Sequence, residues 1–327
     1  MKRRRHLLVL ALLGVLLLGA VALHRRSPSV SAVAATPAVR PGPVKIVSVP
    51  VARPAKAQVV VSGSATVPPA RRLSVTDALN DPAAPFAARM DSLHGLGRRV
   101  SDETVAALLD CLHDYSGGDG LTSGQRHAFK NDVMNLLRKQ ELPVTGLAEC
   151  FADVYRRDPD PAMQDYALHH LESWRRVAIT KNLPADVQLI DATLWDAAAL
   201  DDQVAGTAVL TLAARLEVGA DQAYRDRLAP LVLALAGNAA APSDSRLTAL
   251  SICGDLGLPA AMPLARQLAE KGDNAALKAA ALAVLGHSTR EEDRAYLRRI
   301  SASGPVELRI AATHALTATP TPLPVHS

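Results

Sequence analysis

A short pattern recurs along the second half of the chain and constrains its fold more than any other feature. In five segments an alanine is followed four positions later by a larger, mostly apolar residue, and successive segments are 41, 41, 32 and 31 residues apart. The pairs are Ala167 and Leu171, Ala208 and Leu212, Ala249 and Cys253, Ala281 and Leu285, and Ala312 and Leu316. Residues four apart share one helical face, and alanine there lets a neighbouring helix approach closely. Repetition at this period predicts helices that stack on one another.

The apolar pattern from about residue 84 onward predicts thirteen helices separated by short loops. Aromatic residues make up only 3% of the chain, which suits helical cores built from small and branched aliphatic side chains. Start signals are Ser101, Ser123 and Pro143 ahead of Thr145, and stop signals are Gly97, Gly117-Gly118 and Asp158-Pro159. We therefore predict an all-α fold, an α-solenoid of helical hairpin repeats over residues 77–318, with residues 319–327 as a disordered tail.

Three of the repeated helices resemble the first helices of HEAT-type repeats, which belong to the armadillo-type superfamily. Their sequences are "SRLTALSICGDLG", "ALKAAALAVLGHS" and "ELRIAATHALTA", and each has a basic residue close to its start, namely Arg246, Lys278 and Arg309. The resemblance is best over 243–318, fair over 160–242 and weak over 84–159. It implies a HEAT-like solenoid and, since most such proteins are scaffolds or adaptors, a binding role. Short bacterial members include chromophore lyases, but no motif here carries that activity over.

The N-terminus predicts where the protein resides. "MKRRR" precedes an apolar run, residues 7–23, that contains no charge, and "HRR" follows. A helix of this run would be roughly 25 Å long, which is the short end of what spans a bilayer. The excess of basic residues before the run predicts a single-pass inner-membrane anchor over 1–26, with the C-terminal body in the periplasm. Cleavage as a signal peptide, with secretion to the periplasm, is the alternative, because Ala20-Val21-Ala22 fits a small-x-small site.

Residues 27–76 are predicted to be a linker rich in proline, alanine and valine. Eight prolines lie between residues 28 and 69, and such a composition disfavours a packed core.

Charge is divided unevenly along the chain. Residues 1–76 hold twelve of the 36 Lys and Arg and none of the 32 Asp and Glu. The remainder therefore has 24 basic and 32 acidic residues, a net charge of −8. Because nucleic-acid binding needs basic side chains on a folded face, we expect no nucleic-acid partner.

The segment "DYALHHLESW", residues 165–174, contains the candidate site residues His169 and His170 beside Asp165 and Glu172. Adjacent residues on a helix point about 100° apart, whereas histidines that chelate one metal from a helix are usually four apart. We therefore favour packing or surface roles and predict no catalytic, cofactor-binding or metal-binding residue and no cofactor. The alternative is an enzyme or metal-binding protein that uses His169, His170 and nearby acidic residues.

Other chemical motifs are weak or missing in the sequence. It contains no H-E-x-x-H, no G-x-S-x-G and no phosphate-binding P-loop pattern. "DYSGGDG", residues 114–120, superficially resembles a calcium loop, but Gln125 stands where such a loop needs a carboxylate at position twelve. We interpret this segment as a glycine-rich turn between helices.

The three cysteines have different expected roles. Cys253 occupies the repeated apolar position and is predicted to be a buried thiol. Cys111 and Cys150 are the plausible disulfide pair, because an oxidising compartment would permit the bond if their helices stack side by side.

The leading functional hypothesis is a membrane-anchored extracytoplasmic scaffold or adaptor that binds a protein or peptide partner through its helical repeat surface. The membrane contact would be made through residues 7–23. A purely structural spacer is a third possibility, after the enzyme or metal protein, and the sequence leaves the oligomeric state open.

Overall fold

The computed structural model describes residue 81 and residues 83–116, 120–219, 221–272 and 274–318, all within one compact unit that spans Pro68–Ser327. The described residues form thirteen α-helices and one short 3-10 helix, and contain no β-strand. This confirms the predicted all-α class and the predicted number of helices. The predicted anchor, linker and tail lie outside the described residues. No described helix combines the length and apolar character that crossing a membrane requires.

The helices follow one another with short connections. They are α1 (Phe86–His94), α2 (Asp102–His113), α3 (Ser123–Arg138), α4 (Leu147–Arg157), α5 (Pro161–Thr180), α6 (Pro184–Ala198), α7 (Ala205–Ala214), α8 (Gln222–Gly237), α9 (Ser243–Asp255), α10 (Ala261–Lys271), α11 (Ala275–Leu285), α12 (Glu291–Ser303) and α13 (Val306–Thr317), and the 3-10 helix is Arg215–Val218.

Capping side chains fix where several helices begin. Ser101 caps α2 as predicted, since its hydroxyl accepts a hydrogen bond from the Thr104 amide at 3.2 Å. Helix α3 begins at Ser123 as predicted; the preceding Thr122 caps it by accepting from the Gln125 amide at 3.3 Å, and the Gln125 side chain accepts in return from the Thr122 amide at 3.0 Å. This reciprocal pair is a capping box. It gives Gln125, the residue that argued against a calcium loop, a structural role.

Other boundaries differ from the sequence signals for identifiable reasons. The start expected from Pro143 and Thr145 is wrong, because α4 begins at Leu147 after Gly146, which adopts the left-handed φ of +75°. The stop expected at Gly97 falls earlier, since α1 ends at His94. The stop at Asp158 is confirmed, because α4 ends at Arg157. The stop expected at Gly117-Gly118 lies outside the described residues.

The main contacts between helices join partners one or two places apart along the chain. The odd-numbered helices form a row in which each helix contacts the next one, from α1 through α13. This local pattern of neighbouring helix packing is compatible with a helical-repeat solenoid. The even-numbered helices pack beside this row against their neighbours in sequence.

The repeated residues lie where the sequence pattern predicts. The five alanines of the repeat are fully buried, and at the position four residues later Leu171, Leu212, Cys253 and Leu285 are buried and Leu316 is half-buried. The column just before that position is buried throughout: His170, Thr211, Ile252, Val284 and Ala315. The next column outward is mostly exposed and consists of His169, Leu210, Ser251, Ala283 and His314, of which Ser251 is half-buried.

Small residues allow the row of odd helices to pack closely. A Cβ atom on Gly206 of α7 would lie 2.8 Å from the Cα atom of Ser245 on α9. A Cβ atom on Gly286, which directly follows α11, would lie 2.7 Å from the carbonyl oxygen of Ala315 on α13. Both positions therefore favour glycine, since a larger residue would force the backbones of two neighbouring helices to shift.

Candidate functional site

His170 is a packed residue of the helix row. It is 6% exposed, its Nε2 lies 3.0 Å from Asn131 Oδ1 on α3, and its ring centroid lies 5.6 Å from that of Phe151. Its buried Nδ1 has no hydrogen-bond partner. Burial lowers the pKa of His170 from 6.5 to about 4, with smaller contributions from the positive charges of Arg138, His169 and Lys139. The imidazole is therefore neutral at physiological pH and donates from Nε2 to Asn131.

His169 lies on the outside of the same helix. Its side chain is 56% exposed, and its Nε2 is 3.7 Å from Asp165 Oδ2 one turn earlier. The other oxygen of Asp165 accepts a hydrogen bond from the Thr207 hydroxyl on α7. The structure thus directs the two adjacent histidines to different environments and does not bring them together. Among the described residues, no group of three His, Cys, Asp or Glu side chains is arranged to hold a metal ion.

Glu172, the acidic neighbour proposed for the histidine site, belongs instead to an ion-pair network. The Arg215 guanidinium lies 2.7 Å from Glu172 and 2.8 Å from Asp191, and Arg175 lies 2.6 Å from Asp191. Burial works to lower the pKa of Arg215, but the hydrogen bond and charge of Glu172, aided by Asp191, raise it overall. The network fastens α5 to α6 and to the 3-10 helix that follows α7, which is a structural role.

A cleft that the sequence did not predict lies where the end of α2, the start of α3 and the turn between α4 and α5 meet. It has a volume of about 400 Å³, and its lining includes Tyr115, His127, Lys130, Asp158 and Asp160. It brings together several ionisable side chains. This cleft is therefore the place to examine for chemistry.

Ser123, His127 and Asp160 meet at the edge of the cleft. His127 Nε2 lies 2.5 Å from Asp160 Oδ2, and the Ser123 hydroxyl lies 3.2 Å from the same nitrogen. A serine nucleophile with a histidine base requires the serine and the carboxylate on different ring nitrogens. Here both face Nε2, so the three residues do not form such a relay.

The carboxylate of Asp160 is held in its charged form by this arrangement. Burial works to raise the pKa of Asp160, but hydrogen bonds from His127, the Ala162 amide and Ser123 together bring it below its ordinary value. Asp160 also caps α5 through that Ala162 amide at 2.9 Å. Its contacts therefore connect the start of α3 to the start of α5.

Lys130 fills the inner wall of the cleft. It is 2% exposed, and its Nζ donates to the carbonyl oxygens of Leu112 at 3.2 Å and Asp114 at 2.8 Å. It also lies 3.3 Å from Asp158 Oδ2 and 4.9 Å from the centre of the Tyr115 ring. These partners engage the ammonium group from several sides, which leaves it little capacity to bind an added anion.

Tyr115 completes this wall without a described polar partner for its hydroxyl, which is buried. Burial, followed by the nearby Cys150 and two aspartates, raises the pKa of Tyr115 to about 12. The phenol is therefore protonated and is a poor base at neutral pH. The described contacts of the cleft fasten helix ends, since Asp160 caps α5 and Lys130 joins the end of α2 to Asp158.

The cysteines are thiols in the structure. Cys253 is fully buried as predicted, and burial raises its pKa to about 12. Cys150 is buried and Cys111 is half-buried, and no disulfide joins them, although their helices α4 and α2 contact each other. The bond considered from the sequence is therefore not present.

The exposed column of the odd helices is the other candidate surface. His169, Leu210, Ala283 and His314 project outward from four helices of one row, with half-buried Ser251 between them. Leu210 is a large apolar residue that is 46% exposed. Because the flanking columns are buried except at Thr313, this column presents varied side chains on a regular helical support.

Comparisons with known proteins do not place the chain in a family. No family model matches it. No curated protein matches it either.

Proposed function

We propose that the protein is a scaffold of HEAT-like repeats that binds a protein or peptide partner, held outside the cytoplasm by its N-terminal segment. The exposed column formed by His169, Leu210, Ser251, Ala283 and His314 carries this proposal. Side chains that differ from repeat to repeat while their neighbours stay buried are typical of the recognition surfaces of helical-repeat proteins. The basic residues Arg246, Lys278 and Arg309 and the buried alanines support the HEAT-like assignment.

The contact is expected to spread over several repeats, with an apolar anchor among them. Leu210 is such an anchor, since it is a large, exposed apolar residue within the column. Interfaces concentrate their binding energy in a few residues of this kind. Replacing the anchor should therefore weaken binding far more than replacing an apolar residue elsewhere on the surface.

The test is crosslinking and affinity capture from native membranes with the full chain and two matched variants. Leu210→Glu places a charge in the column, and Leu142→Glu places one at an apolar loop residue that is 78% exposed. We expect a partner that is captured by the wild type and by Leu142→Glu and is lost with Leu210→Glu, with circular dichroism unchanged in both. Capture of no partner by the wild type would favour a structural spacer and refute the proposal.

The location has its own test. Protease added to intact spheroplasts should digest the body, because the basic residues before the apolar run 7–23 favour a body outside the cytoplasm. A body protected in spheroplasts and cut only after lysis would contradict this topology.

The linker can be tested separately. Replacing residues 27–76 with an unrelated flexible segment of equal length should preserve partner capture, since a tether contributes only reach.

A further inference from the structure

The C-terminal ends of helices α3 and α5 lie side by side. The Ser123 hydroxyl donates to Asp160 at 3.3 Å where the two helices begin, and Asn131 lies 3.0 Å from His170 near their middles. Helices joined at their starts and at their middles run parallel. The basic residues near their C-terminal ends are therefore brought to the same end of the odd row.

The loop that follows α1 is fastened to the loop that follows α3. The Glu141 amide donates to the Arg98 carbonyl at 2.9 Å, and the Arg98 Nε donates to the Lys139 carbonyl at 3.3 Å. Four basic residues thus gather where the first odd helices end. We call Arg98, Arg138, Lys139 and Arg176 the basic end.

The cations of the basic end have no carboxylate partner among the described residues. Arg138 donates to the Asn135 side-chain oxygen at 3.2 Å, and its buried Nε has no hydrogen-bond partner. Burial, and then the positive charge of Arg176, lower the pKa of Arg138, and no carboxylate acts to raise it. The neighbouring Glu141 is paired with Arg99. The positive charge of this end is therefore left for an external partner.

The helix termini do not balance this charge. The C-terminus of a helix carries about half of one negative elementary charge, so α3 and α5 together offset about one of the four cations. The acidic residues Asp102, Glu103 and Glu149 lie in the first turns of α2 and α4, where they stabilise the positive helix N-termini. The odd row therefore ends in a basic surface, although residues 77–327 carry a net charge of −8.

Two exposed apolar residues accompany the basic end. Leu142 lies in the loop after α3 and is 78% exposed, and Ile179 lies in the last turn of α5 and is 54% exposed. Basic side chains next to exposed aliphatic ones are typical of surfaces that contact anionic membranes. The cations attract the headgroups, and the aliphatic side chains enter the boundary between headgroups and acyl chains. An acidic protein would satisfy the cations alone, whereas a lipid surface suits both kinds of side chain.

We propose that the basic end binds the phosphate headgroups of an anionic phospholipid surface, with Leu142 and Ile179 entering the interface. The rest of the body is acidic overall and is repelled by such a surface, so this end is the one that faces it. The contact uses none of the residues of the exposed column. Leu142→Glu should therefore weaken the lipid contact and keep partner capture, so the two proposals can fail separately.

Tryptophan quenching by brominated lipids tests the contact in the full chain. The probe is Leu142→Trp, and the control is Leu200→Trp, at an apolar residue that is 46% exposed in the loop between α6 and α7, where the odd helices begin. In nanodiscs with brominated acyl chains, the probe should be quenched at least about twofold more in phosphatidylglycerol than in phosphatidylcholine. The control should be quenched equally in both lipids. The wild-type signal is subtracted in each case.

Charge variants of the probe test the role of the basic end. Arg138→Gln with Arg176→Gln should remove the difference between the lipids, because each basic residue near an anionic surface strengthens binding about fivefold. Arg299→Gln with Arg309→Gln removes the same charge from exposed residues of α12 and α13 and should preserve the difference. Sodium chloride at about 1 M, which shortens the Debye length to about 3 Å, should reduce the quenching to the phosphatidylcholine level.

Three results would overturn the proposal. Equal quenching of the probe in both lipids would reject the lipid surface and favour an acidic protein as the partner. A difference that persists in Arg138→Gln with Arg176→Gln, with circular dichroism unchanged, would show that the basic end is not responsible. Quenching that inorganic phosphate abolishes at constant ionic strength would identify a site for free phosphate instead.

Discussion

The buried His170 should make the protein lose stability as the pH falls through the mildly acidic range. In the folded protein the pKa of His170 is lowered to about 4, whereas its ordinary value is 6.5. The unfolded chain therefore takes up a proton at a pH where the folded protein does not. The stabilising contribution is complete above about pH 6.5 and is lost progressively as the pH falls towards 4.

The size of this effect follows from the two pKa values. At pH 4.5 the unfolded histidine is almost fully protonated and the folded one is mostly neutral, so the linked loss of unfolding free energy is about 2–3 kcal/mol. The variant His170→Gln removes the titration but keeps an N–H donor that can reach Asn131. His169→Gln is the matched control, because that side chain is exposed on the same helix.

The assay is urea unfolding followed by circular dichroism at pH 7.5 and pH 4.5. The loss of stability between the two pH values should be about 2–3 kcal/mol smaller in His170→Gln than in the wild type and in His169→Gln. Ring-proton NMR should show His170 titrating below about pH 5, as expected of a buried neutral imidazole. A wild-type pH slope that His170→Gln leaves unchanged, or an NMR titration near pH 6.5, would refute the argument.

Three further predictions follow from the described packing. Lys130→Met should lower the unfolding free energy by about 3–5 kcal/mol in urea titrations, since it leaves Asp158 buried without its ammonium partner, and a loss below about 1 kcal/mol would contradict this. Gly206→Ala should lower the unfolding free energy by about 1–3 kcal/mol, because the added methyl group overpacks the contact between α7 and α9. Gly124→Ala is the control, since its Cβ atom would meet nothing within 4 Å, and it should be neutral or stabilise by up to about 1 kcal/mol. Similar melting temperatures for the two variants would count against the close helix approach. Cys253 should resist a maleimide at pH 7.5 in the native state and react after unfolding, as peptide mass spectrometry can measure; rapid native labelling would show that the repeated apolar column is misplaced.

The parts of the fold that the sequence predicted are those governed by local periodicity. The alanine and leucine columns are buried because a face of this spacing must be covered by another helix. For His169 and His170 the sequence favoured packing or surface roles. It did not fix how deeply each lies, because the sequence does not show how closely adjacent helices approach. That distance depends on contacts such as Gly206 against Ser245, which join residues from different repeats.

The cleft beside α3 was missed for a different reason. Its side chains come from three separate stretches of sequence, represented by Tyr115, Lys130 and Asp160. None of these stretches has the spacing of a known motif. The signal present was "DPDP", residues 158–161, which was interpreted only as a helix stop. A carboxylate between prolines at a helix start also caps the next helix, and Asp160 does this.

The contacts between helices have a consequence for how the chain acquires its structure. Because the main partners of each helix lie one or two places away, few contacts have to wait for distant parts of the chain. Topologies dominated by such near neighbours fold rapidly, and a stack of them can nucleate at one point and grow outward. A chain that emerges from its N-terminus onward can thus add helices to an already ordered stack, and opening on heating or denaturation is expected to begin from the ends.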